Sequence, residues 1–176
     1  MFTGHSVLEL RNYSGLFSFL KGVKAKMKLY SLERELEIPK LVPIRTIEKE
    51  IVCTNPDVVK DFLNEEFNFN NLVEEHMYLL CMDCRNSLKW IFEVAHGGTE
   101  EAFIDVKGIF TRALLCSSGK IIIAHNHPSG DPTPSTYDYR LSKRVKEAGM
   151  ILGIELLDSL IVGEDSYYSM NSAGEL

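Results

Sequence analysis

At 176 residues the chain is long enough for one domain with a sizeable core. Its 45% hydrophobic and 25% charged residues exclude a disordered or fibrous polymer, and four cysteines are too few for a disulfide framework at this size. No apolar run approaches the roughly 20 residues of a membrane-crossing helix, so a reducing, cytoplasmic setting with no membrane contact is the expectation.

The net charge of −6 is unevenly placed. Residues 1–30 carry Arg11, Lys21, Lys24, Lys26 and Lys28 against Glu9 alone, which leaves the rest of the chain strongly acidic. An acidic body lacks the broad basic footprint that neutralises phosphates, so DNA is disfavoured as a partner except through this basic N-terminal extension. The segment has no signal-peptide pattern, and Met27 is a possible second start. Residues 31–70 read as a second unit. Its first part, 31–50, alternates charged and apolar residues around Pro39 and Pro43 and suggests an arm laid across the body.

Asn55-Pro56 predicts a helix start, with Asn55 as cap and Pro56 at the first helical position. Val58, Val59, Phe62 and Leu63 follow at helical spacing, and Asn68 to Asn71 end the helix. Leu72 to Met82 reads as a strand, Asp83 to Ser87 as a turn, and Leu88 to Val94 as a second strand. Asp105 can cap a second helix whose stripe is Val106, Ile109, Phe110, Ala113 and Leu114. Lys120 to His127 is apolar enough for a strand buried on both faces. Ser135 to Gly149 reads as a third helix, Ile151 to Gly163 as strand material, and a Tyr- and Ser-rich tail closes the chain. Interleaved strands and helices with one hairpin predict an α/β layer fold with a mixed sheet.

The chemistry concentrates between His125 and Asp138. Two histidines one residue apart on a strand point to the same side, because strand side chains alternate. They sit at the strand's C-terminal end, where open α/β sheets place their sites. The loop returns so that Asp138 falls in the first turn of the next helix. Two imidazoles and a carboxylate can thus converge on one ion, with a fourth position left to water, as in catalytic zinc. Read singly, each residue has a plainer role. A lone histidine is usually just hydrogen-bonded, Ser135 is a good N-cap, and Asp138 suits a helix dipole. It is their combination that points to metal.

His125-x-His127, then seven residues, then Ser135-x-x-Asp138, resembles the JAMM (MPN+) motif of zinc metallopeptidases. The fuller string His125-Asn126-His127-Pro128-Ser129-Gly130 is similar to the bacterial RadC-like branch of that family. The likeness covers about residues 71–176, including Glu75 eight residues before Asp83, Gly97-Gly98, Leu157-Asp158 and Tyr168-Ser169. The resemblance implies a single JAB/MPN-like, cytidine-deaminase-like domain in which a mixed sheet is flanked by helices. It further implies one zinc ion per chain held by His125, His127 and Asp138, Glu75 as general acid/base, and Ser135 as donor to the oxyanion. Alternation places Glu75 on a strand face with Met77, Leu79 and Cys81, looking inward. Taken by itself, alternation favours Glu75 only slightly over Glu74.

The chain departs from the RadC-like pattern in two places: Ser159 stands where a histidine usually follows the Leu-Asp pair, and Asp105-Val106-Lys107-Gly108 replaces His-Pro-Arg-Glu. The Gly-rich signature of the helix-hairpin-helix region carried by longer members is not seen either. Cys81-x-x-Cys84 is a lone pair and weak as a metal or redox signal. An HNH nuclease spreads its motif over a ββα unit. A nucleobase deaminase needs His-x-Glu and Pro-Cys-x-x-Cys, which this chain lacks. The expectation is therefore a zinc metalloprotease that cleaves peptide or isopeptide bonds in a peptide or protein substrate by means of a zinc-activated water. The alternative, motivated by the family's association with DNA repair, is an accessory protein with a structural or idle site.

Overall fold

The computed structural model describes residues 26–35, 38–97 and 104–176. Two strands, β1 (Met27–Glu35) and β2 (Ile38–Ile47), lead into helix α1 (Pro56–Phe67), a single 3₁₀ turn (Phe69–Asn71), β3 (His76–Met82) and β4 (Leu88–His96). Then come α2 (Val106–Leu115), β5 (Lys120–Asn126), α3 (Thr136–Leu152), β6 (Glu155–Val162) and β7 (Tyr167–Ser169). The seven strands form one sheet in the order β2-β1-β4-β3-β5-β6-β7. The β1/β4 and β5/β6 pairs are parallel and the others antiparallel, so the sheet is mixed, as the interleaved sequence pattern predicts.

The two faces of the sheet carry separate cores. Val59, Phe62 and Leu63 of α1 pack with Tyr78, Leu80, Met82, Ile122 and Ala124 on one face. On the other, Ile109, Phe110 and Ala113 of α2 and Leu141 and Val145 of α3 pack with Met77, Leu79, Cys81, Ile121 and Ile123. Strands β3 and β5 contribute alternate residues to both, which is why they read as continuous apolar runs. Among the described residues no helix is long and apolar enough to cross a membrane.

Residues 31–50 are not an arm laid across the body. β1 and β2 form an antiparallel hairpin, and β1 joins the sheet by pairing Lys28 with Trp90 and Leu29 with Ile91. Pro39 and Pro43, which suggested an irregular segment, both sit on β2, an edge strand of the sheet, where a missing N–H breaks no ladder bond on the free side. β1 begins at Met27, whose side chain is buried, so the end of the basic segment is part of the sheet; residues 1–25 lie outside the described residues. Cys81 is in the core and Cys84 is exposed in the turn, so the CxxC spacing brings no shared site together.

Helix α3 outruns its predicted end at Gly149 and stops at Leu152, where Gly153 takes a left-handed conformation (φ 69°) and caps it. Gly149 has a different task inside the helix. A Cβ there would lie 2.3 Å from the Ile154 carbonyl oxygen, so only glycine lets the chain fold back from α3 into β6. Gly149→Ala is accordingly expected to destabilise the protein by about 1–3 kcal/mol, the range for a forced steric overlap. Urea denaturation of the two proteins checks this, and an unchanged midpoint would contradict it.

Candidate metal centre

The alternation of β5 builds the first half of the site. Ile121 and Ile123 face the α2/α3 side, and His125 continues that face just before the strand ends at Asn126. His127 lies one residue beyond the strand, yet its N–H still donates to the Val162 carbonyl (2.9 Å), so its backbone extends the β5/β6 pairing. The loop then folds against β6. Gly130 accepts from the Glu164 N–H (3.1 Å), and Gly163 sits so close that a Cβ on it would lie 2.2 Å from the Gly130 carbonyl oxygen. This close approach, possible only for glycine, returns the chain to the start of α3.

There Ser135 and Asp138 form a reciprocal capping box. The Asp138 N–H donates to Ser135 Oγ (3.2 Å), while the Ser135 N–H (2.7 Å) and hydroxyl (2.6 Å) both donate to Asp138 Oδ2. The carboxylate fixed in this way meets both imidazoles. His125 Nε2 is 3.2 Å from Asp138 Oδ1, His127 Nε2 is 3.7 Å from Oδ2, and the two Nε2 atoms are 3.1 Å apart. All three residues present ligand atoms within 4.8 Å of one another.

The electrostatics follow from that geometry. Burial would push the Asp138 carboxyl up, but the hydrogen bonds from His125, His127 and Ser135 outweigh it and hold the group far below the usual carboxylate range. Its hydrogen bond with Asp138 raises the His127 pKa; burial opposes this, and the Asp131 carbonyl and the Glu75 charge add to it. His127 Nδ1–H donates to that Asp131 carbonyl (2.8 Å), which orients the ring and leaves Nε2 to face the cluster. His125 is almost completely buried and its Nδ1 has no hydrogen-bond partner, so its orientation comes from packing.

Glu75 stands one residue before β3, not within a strand beginning at Leu72. Its facing is nonetheless the expected one. The antiparallel register pairs Met77 with His125, and extending it by two residues sets Glu75 opposite His127. Glu75 is half-buried, and its N-terminal neighbour Glu74 is exposed. The residue that holds this segment is one that sequence reasoning passed over. Asn126, buried on the face opposite the histidines, accepts from the His76 N–H (2.8 Å) and donates to the Glu74 carbonyl (2.9 Å), gripping the backbone on both sides of Glu75.

Ser159, where a histidine was expected, is buried and hydrogen-bonded to Ser142 Oγ (2.7 Å), tying α3 to β6. Asp158 is buried too, and it accepts from Ser169 Oγ, Ser159 N and Asn171 N, fastening the tail to β6. Asp105 caps α2 through the Lys107 N–H, as predicted.

The RadC-like JAB domain family matches over residues 53–175. The chain is 34% identical over 158 residues to the UPF0758 protein lwe1562 of Listeria welshimeri, covering 90% of this chain and 69% of that protein. It is 32% identical over 171 residues to a UPF0758 protein of Clostridium botulinum, covering 97% and 71%. With the UPF0758 protein NT01CX_1687 of Clostridium novyi it shares 38% identity over 119 residues, 68% of this chain and 51% of that protein. The mixed sheet between helical layers agrees with that likeness, and the chain belongs to the RadC-like JAB domain family.

Proposed function

We propose that the chain is a zinc-dependent metallohydrolase that cleaves peptide or isopeptide bonds, with His125, His127 and Asp138 as metal ligands and Glu75 and Ser135 as catalytic groups. The observation that carries this reading is the convergence of two imidazole nitrogens on one buried carboxylate. Two Nε2 atoms 3.1 Å apart, both turned toward an anion, present the nitrogen and oxygen donor set that zinc prefers. Bound there, zinc supplies Lewis acidity that polarises a scissile carbonyl and lowers the pKa of water. The four free cysteines Cys53, Cys81, Cys84 and Cys116 fit the reducing, cytoplasmic setting that belongs to the same proposal.

The protein's own groups divide the remaining work. Glu75 accepts the proton of the attacking water at its carboxylate and delivers it to the leaving amine. Asn126 keeps Glu75 in place by holding the backbone on either side. Ser135 stabilises the oxyanion through its hydroxyl. In the resting arrangement that hydroxyl donates to Asp138 Oδ2, so it turns away as charge develops, while the Ser135 N–H keeps its own bond to Oδ2.

Three outcomes are expected. Glu75→Gln retains zinc by elemental analysis but loses roughly 10²–10⁴-fold in turnover on a peptide or isopeptide library, the worth of a positioned proton acceptor; a fully active variant would remove Glu75 from this role. Ser135→Ala lowers turnover by about 10²–10³-fold, beyond the ~1 kcal/mol of stability that a lost cap costs. An unchanged rate beside reduced stability would leave Ser135 as a helix cap only.

The third outcome concerns pH. Ligation needs neutral His127, and its raised pKa means that protons compete with zinc above the usual imidazole range. In the metal-free protein, the pair made by protonated His127 and Asp138 contributes stability fully below the unfolded histidine pKa of about 6.5, and loses it as pH rises through the folded value. Asp138, with its pKa depressed, stays ionised throughout this window. The rise in Tm on adding zinc is therefore expected to grow from about pH 6 to 8, while the metal-free Tm falls slightly. Melting curves with and without zinc check both trends, and a zinc increment that shrinks with pH would contradict the ligand assignment.

A further inference from the structure

Alternation gives the start of β3 two sides, and the one turned away from Glu75 holds a second set of metal-ligand side chains. His76 on β3 lies directly across from His96 on β4, and their rings stack with centroids 4.3 Å apart and planes 13° from parallel. Each ring is held by a carboxylate: His76 Nδ1 lies 2.7 Å from Glu93 Oε1, and His96 Nε2 lies 2.7 Å from Glu74 Oε2. Glu74, His76 and His96 can each offer a ligand atom within 4.8 Å of the other two.

We propose that Glu74, His76 and His96 form a second divalent-cation site of the zinc class. A pair of imidazoles with one carboxylate is a donor set that selects zinc and similar transition metals over magnesium or calcium, which take oxygen ligands. Direct cross-strand neighbours place their Cβ atoms about 4.5–5.5 Å apart, close enough to share an ion after small side-chain rotations. Glu93 supplies the outer contact that such histidines use, since it takes the Nδ1–H of His76 and leaves the Nε2 lone pair free. His76 is the anchor, with a side chain only 17% exposed, whereas Glu74 and His96, each 53% exposed, leave the group open to ions from solvent.

The position gives such an ion a consequence. Glu75 lies in the chain between Glu74 and His76, and its carbonyl accepts from the N–H of Gly97, the residue after His96 (3.1 Å). A cation joining Glu74, His76 and His96 closes that backbone loop around Glu75, on a segment already gripped by Asn126. The site itself does not depend on the hydrolytic reading.

Zinc titration of the whole chain, followed by calorimetry and competition with a chromogenic chelator, tests this. The unaltered protein is expected to take up about two zinc equivalents, His76→Gln/His96→Gln about one, and Asp138→Asn about one, each centre contributing a single ion. His96 is exposed but His76 is half-buried, so metal-free melting curves of that variant verify that its fold persists. Cobalt(II) is the second probe: its visible absorption in Asp138→Asn is expected to vanish when His76→Gln/His96→Gln is added. The proposal is overturned if Asp138→Asn binds no zinc, or if its remaining binding survives loss of both histidines. A first centre that fails shows itself separately, as no uptake by His76→Gln/His96→Gln.

Discussion

The site depends on how the Asp138 carboxylate is held. It is buried, a position that by itself would favour the neutral acid, and only the donors around it keep it ionised. Two of those donors, the Ser135 N–H and hydroxyl, come from the same helix turn and occupy Oδ2. Oδ1 is thereby left to His125, and the carboxylate cannot rotate without abandoning a cap. The helix start and the carboxylate that meets both imidazoles are one structure, so the geometry of the cluster is set by the capping box. A short polar residue at the cap position serves both ends, because it satisfies free N–H groups while aiming the anion at the sheet.

The histidines reach the same point from a different constraint. Strand alternation puts His125 and His127 on one face, but His127 lies past the strand end and keeps its direction only because Val162 still accepts from it. Gly163 then permits the loop to press against β6, closing the distance to α3. The short excursion from 128 to 134 is therefore held against residues 162–164, with Gly130 and Pro132 lying against Gly163. The geometry of the cluster thus rests on regular elements and one constrained loop.

Much of this was legible in the sequence because the signals are local. Period-two alternation is enough to align two histidines, and the Ser-x-x-Asp spacing is enough to write a capping box. Asn55, Asp105 and Ser135 were all readable as caps for the same reason. What was missed is non-local. Asn126, between the two histidines, carries no local signal, since its partners lie about 50 residues away, at Glu74 and His76. Residues 31–50 read as an arm around Pro39 and Pro43, yet most of them belong to the hairpin from Met27 to Ile47, because a sheet edge tolerates those prolines. Gly149 looked like a helix end, since glycine as cap and glycine as contact surface are indistinguishable until the neighbouring Ile154 carbonyl is placed.

The start of β3 shows how one backbone segment can serve two faces. Glu75 points toward His127, whereas Glu74 and His76 turn the other way to meet His96, as adjacent strand residues must. The segment does not rely on ladder bonds alone. Asn126 grips it from β5, and the Gly97 N–H reaches its carbonyl from the end of β4. The proton-moving role proposed for Glu75 calls for a fixed backbone but an unencumbered side chain. Both restraints act on main-chain atoms, and no hydrogen bond or ion pair engages the Glu75 carboxylate among the described residues. Placing the restraint on the backbone and on the opposite face leaves that carboxylate free to face His127, where its charge already contributes to the raised pKa of the ring.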